Sequence, residues 1–227
     1  MHRRGVRRVR RIPQCRGGRI LHEPVTMSTT VDARLPLSLL EAVRVVDTPE
    51  GEVEAEYIEE LRTKRFGLTD TVYAQITRYS EAVRRNERTV RHEAAALARL
   101  IGRRTDAHRV FDSAGSLLAR EAVDTVSVVR RALLRRVPGV MARPMALTSV
   151  RRLARRYLDG RVERVGATVI LSVADPVTME GSPIAGYAFY ASAFATMLEE
   201  LTGVPAVVTR IDDVKPGLRW KASWGRG

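Results

Sequence analysis

Apolar residues recur at intervals of three and four through the first two-thirds of this chain, and after Gly160 the interval shortens to two. That change of period predicts helices followed by a small sheet. LPLSLLEAV starts a short helix after Pro36. EVEAEYIEELRTKRFG predicts a second helix ending near Gly67, its glutamates early and its cations late as the helix dipole prefers. In LTDTVYAQITRYSEAVRRN, Thr69 is the expected N-cap, and Val72, Ile76, Tyr79 and Val83 share one stripe. TVRHEAAALARLIGRR repeats the design, with Thr89 as cap and Ala94, Leu97, Leu100 and Ile101 inward. From Asp106 a long helix is predicted through Val110, Phe111, Ala114, Leu117 and Leu118. It continues with Ala122, Val126, Val129 and Leu133 until Pro138–Gly139 stops it. LTSVRRLARRYLDG closes the helical part, with Val150, Leu153, Ala154 and Tyr157 inward and its arginines outward.

Beyond Gly160, RVERVGATVILSV predicts two strands turning near Gly166. SPIAGYAFYASAFATMLEELTG predicts a helix with Pro183 in its first turn and Gly203 just past its end. It is apolar nearly all round between Ile184 and Leu198, which predicts burial on most sides. AVVTRID and LRWKASW follow as strands separated by Pro216–Gly217. The last alternates, with Leu218, Trp220, Ala222 and Trp224 on one face and Arg219, Lys221 and Ser223 on the other. A hairpin on each side of one buried helix predicts a four-stranded antiparallel sheet packed on helices, an α+β fold. The expected division is a disordered basic leader over 1–35, a helical region over 36–105 and an α+β domain over 106–227.

The formal charge of +13 invites a nucleic-acid reading that its distribution weakens. Eight arginines and one glutamate in residues 1–26 contribute +7, which leaves +6 over residues 27–227. Lysine occurs only at Lys64, Lys215 and Lys221, whereas a surface selected for phosphate contact uses both cations. The opening MHRRGVRRVRRIPQCRGGRI lacks the apolar run of a secretory signal. Its Gly5, Pro13, Gly17 and Gly18 would break the amphipathic helix of a transit peptide. Met27 begins MSTTVDARLPLSLLEA, which looks like an ordinary bacterial start. Residues 1–26 are therefore expected to be dispensable, as translated upstream DNA or as a disordered arm, with targeting the remaining alternative. The body then has no cysteine and only His92 and His108, which excludes a disulfide framework, zinc-finger ligation and a thiol nucleophile. No apolar run reaches the roughly 18–20 residues of a membrane span, and a cytoplasmic setting is expected.

The order helix, strand, strand, helix, strand, strand is carried by RRYLDGRVERVGATVILSV, YAFYASAFATMLEELTGVPAVVTRI and the closing WKASW, between Asp106 and Trp224. It resembles the superfamily of vinyl-4-reductase domains and Bet3-like subunits of TRAPP tethering complexes, including a bacterial paralogue family abundant in myxobacteria. The resemblance implies the same α+β fold, a homodimer or a partner protein, and a ligand-sensing or assembly role. A role as accessory in tetrapyrrole (bacteriochlorophyll) 4-vinyl reduction is the other implication. Many vinyl-4-reductase domains place Cys and His where this chain has Tyr187, Phe189 and IDDVKPGLRW. With neither residue type there, no metal and no other cofactor is expected.

Tyr187, Tyr190, Ala191 and Phe194 on the buried helix, with Trp220 on the last strand, are the candidate pocket. The small residues between them let a flat ligand or a neighbouring element approach, and aromatics line apolar sites. The same residues serve as well for plain core packing. His92 and His108 lack a partner at fixed spacing and read as surface histidines. Glu180–Ser182 reads as a turn and N-cap, and Asp212–Asp213 as a solvated turn. No dinucleotide, Walker or nucleophile-elbow motif is present. The runs RRALLRR and RRLARR read as polar helix faces, and TVRHEAAALARLIGRRTDAHRVF lacks the compact turn of a helix-turn-helix. Nucleic acid is thus not the expected partner. The expected function is a non-catalytic, regulatory module that binds an apolar small molecule or a partner protein. The alternatives are the tetrapyrrole accessory and a DNA-binding regulator.

Overall fold

A computed structural model describes residues 29–47, 69–127, 139–211 and 217–224. Their fold is α+β. A short ribbon pairs β1 (Thr30–Asp32) with β2 (Arg88–Val90), Val31 opposite Thr89. Helices α1 (Arg34–Asp47), α2 (Thr69–Arg84), α3 (Arg91–Ile101) and α4 (Ala107–Asp124) precede α5 (Gly139–Tyr157). Strands β3 (Gly160–Val165) and β4 (Thr168–Val173) form one hairpin. Helix α6 (Tyr187–Thr202) leads into the second, β5 (Ala206–Ile211) and β6 (Leu218–Trp224). The hairpins join through β4 and β6, giving an antiparallel sheet in the order β3-β4-β6-β5.

Register decides which side chains go inside. Val162, Leu171, Trp220 and Arg210 stand in one row across the sheet, and Glu163, Ile170, Lys221 and Thr209 form the adjacent row on the opposite face. The first face is lined by the buried Val162, Val169, Leu171, Val173, Trp220 and Ala222 and packs on helices. On the other, Arg161, Glu163, Thr209 and Lys221 are exposed. The core is continuous from Leu35 and Leu39 of α1, through Ala94 and Ala98 of α3 and Phe111 and Leu118 of α4, to Phe194 of α6 and the sheet. Among the described residues no helix is long and apolar enough to cross a membrane.

Several local expectations are corrected. Thr89 does not cap α3, because it is committed to the β1–β2 ribbon; Val90 takes the cap position, and the Thr89 hydroxyl reaches Glu93 Oε2 at 3.4 Å. Leu100 is 61% exposed, since the inward stripe of α3 runs Ala94, Ala98, Ile101 and Leu100 lies a further 100° round the helix. Val72 is exposed where its stripe partner Tyr79 is buried. The long helix from Asp106 stops at Asp124. There Thr125 turns its hydroxyl back to the Ala122 carbonyl at 2.6 Å, and the following β-branched residues favour helix weakly. Val129 and Leu133 lie outside the described residues, as do the predicted helix ending near Gly67 and the Asp212–Asp213 turn. Gly139 is the first residue of α5, the residues before it from 128 to 138 lie outside the described ones, and Val150, Leu153, Ala154 and Tyr157 of α5 are buried as expected.

Helix α6 starts at Tyr187, three residues later than its apolar run. Ile184 is accordingly 79% exposed, outside the helix whose core it was expected to join. The chain before it is held in a turn by its own hydroxyls: Ser182 Oγ accepts the Ala185 amide at 3.2 Å, and Thr178 Oγ1 donates to the Gly186 carbonyl at 2.6 Å. Gly203, with φ of 70°, ends α6 as expected.

Candidate functional site

Helix α6 is the centre of the site because it packs on both sides. Against α4 it packs closely. A Cβ built on Gly115 would lie 2.2 Å from the Phe189 carbonyl oxygen and 3.0 Å from the Ala193 nitrogen, so only glycine lets the two backbones meet. Beside it, the Ser116 and Ser192 hydroxyls bond at 2.6 Å and Thr196 joins Ser116 at 3.4 Å. His108 faces Tyr187 at one end, and Ser116 faces Thr196 further along both helices, so α4 and α6 run parallel. The small residues read from sequence as room for a ligand or a neighbouring element here admit a helix.

On the sheet side the contacts are large. Tyr190 lies tilted against Trp220 with ring centroids 5.2 Å apart, and its edge meets Phe189 at the same separation. Tyr190, Phe194, Met197 and Leu201 follow helical spacing and are all buried. The Tyr190 hydroxyl accepts the Val177 amide at 3.0 Å, and burial pushes its phenol far above the usual range. It therefore stays protonated at physiological pH. Trp220 has an indole Nε1–H that is fully buried and has no hydrogen-bond partner among the described residues. A buried, unmatched donor is uncommon and costly, on the order of 1–3 kcal/mol.

Of the five pocket candidates, the structure brings Tyr190, Phe194 and Trp220 into the core. Tyr187 and Ala191 fall on the half-buried side of α6. There Tyr187 meets the exposed His108 edge-on at 6.0 Å, and the Arg210 guanidinium lies 5.9 Å from its ring. His92 is also exposed.

Sequence reasoning missed the segment that covers the open end of Tyr190. Residues 174–186 cross from β4 to α6 through a short 3-10 turn, Val177–Glu180, and are fastened to α3. Arg91 donates to the Asp175 carbonyl at 3.1 Å and to its carboxylate at 2.7 Å, and reaches Glu180 at 3.3 Å; Arg99 pairs with Glu180 at 3.4 Å. The 3-10 turn sits directly on α3, since a Cβ on Gly181 would be 2.0 Å from the Ala98 oxygen. Glycines at 102 and 181 were the available signal, but nothing local says that they meet each other.

The half-buried carboxyls lie elsewhere. Burial raises Glu41, and burial together with Glu41 raises Glu121, where α1 meets α4. Burial also raises Asp159, against the pull of its partner Arg88 at 3.2 Å. No group of three or more His, Cys, Asp or Glu that could hold a metal ion occurs among the described residues. The chain matches no family model, no curated protein and no solved structure.

Proposed function

We propose that this chain is a non-catalytic binding module with a regulatory role in the cytoplasm, and that its ligand is an apolar small molecule carrying a hydrogen-bond acceptor. The observation that carries this reading is the Trp220 indole N–H, buried without a partner among the described residues, beside Tyr190 in an otherwise apolar aromatic cluster. Apolar walls with one or a few fixed polar groups are what a small-molecule site needs. Segment 174–186 supports the reading as the way in. It covers the Tyr190 hydroxyl and is fastened to α3 by the Arg91–Asp175, Arg91–Glu180 and Arg99–Glu180 pairs, apart from the sheet. The resemblance of RRYLDGRVERVGATVILSV and the following helix to vinyl-4-reductase and Bet3-like domains points the same way, toward a binding role.

Native mass spectrometry of the protein purified from its own host tests the proposal. The expected result is an added mass of one small molecule on the wild-type chain, lost in Trp220→Phe although that variant remains folded. A long-chain fatty acid and protoporphyrin, titrated against the tryptophan fluorescence of the stripped protein, separate an acyl ligand from a tetrapyrrole. Unliganded protein from the host that quenches with neither probe would overturn the proposal.

A further inference from the structure

Two polar hydrogens are left over in the aromatic cluster, and both are donors. The Trp220 indole can only donate, and its N–H meets no acceptor among the described residues. The Tyr190 hydroxyl accepts the Val177 amide at 3.0 Å, and among the described residues its own proton goes to no acceptor. The two rings lie 5.2 Å apart, and each residue is at most 1% exposed. Phe189, Phe194, Leu171 and Leu198, buried in the same core, have no acceptor on their side chains. The Thr178 hydroxyl, buried in the covering segment, has given its proton to the Gly186 carbonyl. The cluster thus holds two unspent donors.

Charge narrows the class of molecule that can meet them. The charged groups whose fields reach the Tyr190 phenol are Arg91, Asp159 and Asp175, one cation against two carboxylates. That cation is already engaged, for Arg91 holds Asp175 at 2.7 Å and Glu180 at 3.3 Å. A carboxylate or phosphate brought into this core would lose its hydration and gain no free cation in return. An uncharged oxygen costs far less to bury and still satisfies a donor. We propose that the ligand of this cluster presents an uncharged carbonyl, as in a ketone, ester or lactone, to the Tyr190 O–H and the Trp220 N–H. This rests on the small-molecule reading of the cluster and names the group by which the molecule is held. A carbonyl oxygen has two lone pairs and no proton, so it matches one or both donors and needs no acceptor itself. An alcohol or a primary amide would add a donor where two are already unspent.

The test offers a long-chain fatty acid and its methyl ester to the full wild-type chain stripped of bound molecules. At pH 7 the ester is expected to bind about tenfold or more tightly than the carboxylate. The infrared carbonyl stretch of the bound ester should fall below its position in hexane, as a hydrogen-bonded carbonyl does. Part of that fall should vanish in Trp220→Phe, which removes one donor. The wild-type measurements need no variant, so they stand even if Trp220→Phe is unstable. Equal or tighter binding of the carboxylate would overturn the inference and leave the small-molecule reading standing, and so would a bound ester carbonyl at its hexane frequency. Binding of neither form also overturns the inference, and the wider reading falls with it only if protein from the host is unliganded as well.

Discussion

Helix α6 meets its two neighbours by opposite means. Toward α4 it offers Ser192, Ala193 and Thr196, and the partner answers with Gly115, so contact is made by backbone and small hydroxyls. Toward the sheet it offers Tyr190, Phe194 and Met197, and contact is made by aromatic and aliphatic volume. One side tolerates no added atom and the other no lost one. An apolar helix is therefore not one environment, and residues that look alike in composition have different consequences round its circumference.

Emptying the large side should have the greatest effect. Phe194 is fully buried, and Phe194→Ala is expected to cost about 3–5 kcal/mol in urea unfolding, from lost transfer energy and the cavity left behind. A near-neutral result would place α6 at the periphery. Crowding the small side comes next: Gly115→Ala should cost about 3 kcal/mol, the upper part of the overpacking range, because the clashing atom is the main-chain oxygen of Phe189 and not a flexible tip. A stabilised variant, as helix propensity alone predicts, would show that the helices stand further apart.

The two polar atoms of the aromatic cluster sharpen the contrast. Tyr190→Phe strands the buried Val177 amide and should lose about 1–3 kcal/mol. Trp220→Phe deletes a donor that has no partner among the described residues, so relief of its desolvation offsets the lost ring volume, and the net change should stay within about 1 kcal/mol. If both variants lose equally in ligand-free protein, the indole N–H already has an acceptor there and the case for a ligand acceptor falls.

A smaller effect is expected where α4 meets α1 instead of α6. Burial and Glu41 raise the Glu121 carboxyl above its usual range, so the folded state favours its protonated form. That contribution is present in full below the unfolded value of about 4.3 and is lost as pH rises through the folded one. Glu121→Gln escapes the loss. Its melting temperature should exceed that of the wild type at pH 7 and converge with it near pH 4, and curves that stay parallel would refute the assignment. Smallest of all is Arg155→Ala on the exposed face of α5, expected within about 0.5 kcal/mol.

The fold class was legible because its signals are local. Alternation in RVERVGATVILSV and LRWKASW, and glycines at 166 and 203, specify hairpins and a helix end through steric rules acting over a few residues. The inward stripe Val150, Leu153, Ala154 and Tyr157 belongs to the same category. Helix ends were less legible. Thr89 looks like a cap until a strand 58 residues away claims it, as the same separation between Arg88 and Thr30 shows. Of the candidate site, composition identified α6 and its aromatics but not their separation into core and surface, which left Tyr187 and Ala191 on the half-buried side. The sequence by itself determined that helices precede two hairpins flanking one further helix, and which faces of the hairpin strands and of α5 are apolar. Only the tertiary structure decided that α4 lies parallel to α6, that residues 174–186 cover Tyr190, and that Trp220 meets no acceptor among the described residues. Those facts depend on how whole elements pack on one another, and no local period or propensity encodes which apolar face meets which.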